Sequence, residues 1–142
     1  LLKAAVLAVL ERVLADNRRA ELTLFGGAGA SKALDFKPAQ TAPAALFAFL
    51  MHAFRGGTDL ETPLREALSD LPREAGLLIA TDGIVSLSDK AIALLKTATN
   101  DGLELVTVLV GNAPCPTLTD LSSAVATFEG APSLRMTFRG VP

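Results

Sequence analysis

Gly76-Leu77-Leu78-Ile79-Ala80-Thr81-Asp82-Gly83 decides the fold class of this chain. Its first six residues are almost uninterruptedly apolar and of strand length, the pattern of a strand covered by helices on both faces. Asp82-Gly83 closes the strand with a turn pair. Upstream, Leu60 to Leu71 sets Leu64, Ala67, Leu68 and Leu71 on one side of a helix, with Pro63 in its first turn. Downstream, Ser88 or Asp89 can cap a helix running to about Thr99, and Asn100-Asp101-Gly102 supplies its terminating turn. Leu103 to Val110 is a second buried strand. Strands alternating with helices predict an α/β fold: a three-layer, doubly wound, mostly parallel sheet with helices on both faces.

The flanks extend the same alternation. Leu2, Ala5, Val6, Val9, Leu10, Val13 and Leu14 recur at helical spacing, and Asp16-Asn17 breaks the pattern. Ala20 to Phe25 reads as a strand and Ala33 to Lys37 as a short edge strand before Pro38. Ala44 to Phe54 reads as a helix stopped at Arg55-Gly56-Gly57. Beyond Val110 come a loop from Gly111 to Pro116, a short helix from Thr117 to Val125, and a possible last strand from Ser133 to Phe138. No repeat or low-complexity tract interrupts this, so residues 1–142 are expected to form a single domain.

Thirteen basic and 15 acidic residues give a net charge of −2, which offers no electrostatic footprint for nucleic acid or an anionic membrane surface. Cys115 is the only cysteine, which rules out an intrachain disulfide and a cysteine-based zinc site, and fits a reducing, cytoplasmic setting. Lys3, Glu11 and Arg12 interrupt the apolar start too often for a signal peptide, and no apolar stretch is long enough to span a bilayer.

In open α/β sheets ligands bind beyond the carboxyl ends of the strands. That directs attention to Asp82-Gly83 and to the turn Phe54-Arg55-Gly56-Gly57-Thr58-Asp59-Leu60. Thr58 or Asp59 can act as a helix cap or as a ligand, and Asp82 as a turn former or as a ligand. Phe25-Gly26-Gly27-Ala28-Gly29-Ala30-Ser31 has the composition of a phosphate loop, but an extended segment follows where a helix is needed. His52 has no second histidine beside it, Cys115 has no basic neighbour, and Arg18 and Arg19 suit the end of a helix. Asp59 and Glu61 point apart on a helix, and no Ser, His and acid set can be assembled, so an enzyme is not expected.

The spacing from Gly56-Gly57-Thr58-Asp59-Leu60 to Ile79-Ala80-Thr81-Asp82-Gly83 resembles the second and third loops of the metal-ion-dependent adhesion site (MIDAS) of von Willebrand factor type A (VWA) domains. With Leu14-Ala15-Asp16-Asn17-Arg18-Arg19, Leu24-Phe25 and Phe54 to Leu60, the chain is most similar to the bacterial ViaA type, a cytoplasmic partner of MoxR-class AAA+ ATPases. The resemblance runs from about Leu2 to about Val110. It implies a protein-protein interaction module that binds a partner carboxylate through Mg²⁺, with Thr58 and Asp82 on the metal side and Gly57, Asp59 and Gly83 facing the partner.

The first family loop, Asp-x-Ser-x-Ser, does not occur in the sequence, and no capping residue precedes the first helix. The expectation is therefore a domain incomplete at its N-terminus. The family's opening strand would belong at the sheet centre, between the strands at Leu22–Phe25 and Leu77–Thr81. Two protein ligands make a sparse cage for a cation that wants about six oxygens, so metal binding by this chain is expected to be weak. Two alternatives stay open: a degenerate domain of the same family that binds partners without metal, and a metal-assisted hydrolase using Asp82.

Overall fold

A computed structural model describes residues 2–27, 31–38, 43–53, 59–72 and 74–128, together with the backbone of 134–138. The chain divides into two compact units, Leu1–Asp59 and Leu60–Pro142.

In the first unit, α1 (Leu2–Ala15) leads into an antiparallel pair, β1 (Ala20–Leu24) and β2 (Lys32–Phe36), followed by α2 (Pro43–Met51). Asn17 ends α1 because it takes a left-handed backbone, φ 58°. The amides of Asn17 and Arg18 then reach back to the carbonyls of Leu14 and Val13, satisfying acceptors that the helix end would leave open. Pairing of Leu22 with Leu34 and of Ala20 with Phe36 puts the apolar residues of both strands on one face. There Leu24, Leu34 and Phe36 join Leu10 of α1 and Phe49 of α2 in one buried cluster.

The helix expected over Ala44 to Phe54 ends early, at Met51. The amide of His52 turns back to the carbonyl of Phe49 at 3.2 Å, and Lys3 Nζ donates to the carbonyls of Leu50 and His52. A lysine from α1 thus terminates α2, a long-range stop that local residue pattern does not carry. Arg19, expected to serve the end of α1, instead pairs with Asp35 of β2 at 2.7 Å.

The second unit alternates α3 (Glu61–Asp70), β3 (Gly76–Thr81), α4 (Asp89–Asn100), β4 (Glu104–Val110), α5 (Pro116–Leu121), β5 (Ala124–Phe128) and β6 (Leu134–Phe138). Its sheet has the order β3-β4-β5-β6, with the first three strands parallel and β6 antiparallel to β5. The α/β class agrees with the sequence reading; β1 and β2, however, form a separate antiparallel pair. β3 spans the apolar run Gly76–Thr81, and α4 starts where Ser88 Oγ accepts the Ala91 amide. Gly102 ends α4 at φ 99°, a conformation that a Cβ would strain.

Leu60 holds the N-cap position of α3 and gives no side-chain bond, while Thr58, expected as a cap or a ligand, lies outside the described residues. One local expectation fails. The helix expected from Thr117 to Val125 stops at Leu121, and β5 follows. The stop is made by Ser122, whose Oγ donates to Leu118 O and meets Thr107 Oγ1, both at 2.7 Å. Next to it, Ser123 bonds the carbonyl of Leu105 through its amide and its hydroxyl. The serine pair lays the chain against β4, where Val125 and Thr127 suit a pleated ladder.

Leu95, Leu105, Leu118 and Thr107 are fully enclosed. Thr107 can be buried because Ser122 meets its hydroxyl. Among the described residues β1 pairs only with β2 and β3 only with β4, so each has one edge without a strand partner. No helix among them is long and apolar enough to cross a membrane.

Leu105→Ala should lower the unfolding free energy by about 2–5 kcal/mol in urea titration, the range for opening a cavity at a closed site. Leu94→Ala, on the open side of α4, should cost no more than about 1 kcal/mol; equal losses would contradict this core. The hydrogen bond from Arg19 holds the Asp35 carboxyl below its ordinary range. A lowered carboxylate stabilises above the unfolded value of about 4, and the effect is lost as pH falls through the folded one. The stability gap between the native chain and Asp35→Asn should therefore be open at pH 7 and close towards pH 3. A gap that is equal at both would show that the ion pair contributes nothing.

Candidate functional site

The parallel register of β3 and β4 pairs Thr81 with Leu109, so the two strands finish side by side. The loop after β3 and the loop after β4 therefore emerge at the same end of the sheet. This is the carboxyl end, where open α/β sheets carry their ligands.

Asp82 follows the last residue of β3 and is exposed. Its Oδ1 accepts the Ile84 amide at 3.1 Å and lies 3.5 Å from Thr81 Oγ1. The Thr81 hydroxyl is buried and also accepts the Gly83 amide at 3.3 Å. These bonds fix the carboxylate through one oxygen. Oδ2 takes no hydrogen bond from the described residues and remains able to accept one or to meet a cation.

Gly83 is buried with φ 86°. A Cβ there would run into the carbonyl oxygen of Ala113, with the Ala113 carbonyl carbon and Cβ each at 3.1 Å. The absence of a side chain at residue 83 is what lets the loop after β3 lie on the loop after β4. The second loop is anchored in turn, because the Gly111 amide donates to Phe128 O of β5 at 2.9 Å. Asp82 thus stands on a support built from three strands.

On the same unit, Glu61 Oε2 accepts the Ser88 amide at 3.4 Å, joining the first turn of α3 to the residue that caps α4. Asp59 belongs to the first unit, where its amide donates to Gly26 O at 2.7 Å. Thr58 and Gly57 lie outside the described residues. Of the residues singled out from the sequence, the structure brings together Asp82 and Gly83, and Gly83 rests on Ala113 of the loop after β4.

The buried Thr81 hydroxyl and the Ala113 carbonyl were not singled out from the sequence. A threonine closing an apolar strand just before Asp-Gly was a usable sign for the first, but the second is a long-range contact without local signature. The phosphate-loop reading of Phe25 to Ser31 falls away, because the next described element is the strand β2, with no helix to present its amides. Cys115 is buried at the start of α5.

The donor chemistry fits a hard cation to a limited degree. Among the described residues Asp82 offers a carboxylate oxygen without a hydrogen bond, and Ser86 and Ser88 are exposed hydroxyl residues of the same loop. Mg²⁺ typically takes one or two carboxylates and keeps several waters. Among the described residues no three of His, Cys, Asp or Glu gather into a ligand group.

Gly83→Ala should cost more than about 1 kcal/mol, since it meets both a left-handed backbone and the Ala113 carbonyl. It should also shift the amide resonances of Ala113 and its neighbours. Unchanged stability and an unmoved Ala113 resonance would mean that the two loops do not rest on each other.

No family model, no curated protein and no solved structure matches this chain.

Proposed function

We propose that the chain is a VWA-like interaction module that holds a protein partner by a Mg²⁺-bridged carboxylate, and that the partner is a MoxR-class AAA+ ATPase in the bacterial cytoplasm. The reading rests on Asp82. Its carboxylate stands exposed at the carboxyl end of a parallel strand, fixed through one oxygen while the other takes no hydrogen bond from the described residues.

Mg²⁺ in this position supplies a compact positive centre for carboxylate oxygens of chain and partner. Asp82 contributes charge, directly or through water; the family resemblance assigns Thr58 to the metal side and Gly57, Asp59 and Gly83 to the partner side. Gly83 keeps the loop close to Ala113 and so restrains Asp82 before any partner arrives, which lowers the ordering cost of association.

The test is capture of a purified MoxR-class ATPase on the immobilised chain. Capture should occur in Mg²⁺ and fall at least about tenfold in EDTA, and Asp82→Ala and Thr58→Ala should each reproduce that loss with the circular dichroism unchanged. A tenfold loss corresponds to about 1.4 kcal/mol of binding free energy. Capture that is indifferent to EDTA and to both substitutions would overturn the metal bridge and favour a metal-independent interaction domain.

A further inference from the structure

We draw no further inference here: the strongest candidate, the outward apolar face of α2 formed by Leu46, Phe47, Leu50 and Met51, is an unpartnered surface, and nothing in the structure shows what covers it.

Discussion

The close approach of Gly83 to the carbonyl of Ala113 is the constraint on which the candidate site depends. Parallel pairing of β3 with β4 brings two strand ends level, but level ends alone leave their loops free to diverge. Contact at a position that tolerates no side chain joins them. The loop after β4 is itself tied to β5 through Gly111, so the position of Asp82 is set by three strands and not by its own turn alone. The bond from the Ile84 amide then orients the carboxylate. A group held in this way loses little freedom on meeting a cation or a donor, which is the property that a recognition loop needs.

Packing explains why this end of the sheet is firm. The face of β4 that carries Leu105, Thr107 and Leu109 is closed, and its one polar member is met by Ser122 at the end of α5. That hydroxyl pair has two effects. It removes the cost of burying Thr107, and it stops α5 so that β5 can extend the sheet. The support under Gly111 therefore traces back to two hydroxyl residues far from the loop itself.

Legibility from sequence followed the range of the determining interactions. β3 was readable because an apolar run bounded by Gly76 and Asp82 has few other uses, and α4 because Ser88 and Gly102 cap it locally. The early end of α2 was not readable, since the cation at its terminus is Lys3, 47 residues from Leu50. β5 was missed because Thr117 to Val125 is compatible with a helix until Ser122 and Ser123 find partners on β4. At the site, Asp82 was legible from its place after an apolar strand, while the role of Gly83 depended on a residue 30 positions away. Thr58, the other half of the reading, lies among the residues that the structure does not describe.

The proposed metal bridge requires a divalent cation at the second carboxylate oxygen of Asp82. The most direct measurement is amide-resolved NMR during addition of Mn²⁺, whose unpaired electrons broaden nearby resonances while its chemistry follows that of Mg²⁺ at oxygen sites. Selective broadening of Gly83, Ile84 and the amides around Gly111, reversed by excess Mg²⁺ and absent in Asp82→Ala, is the predicted result. Broadening spread over the other exposed carboxylates, or unchanged in Asp82→Ala, would contradict it.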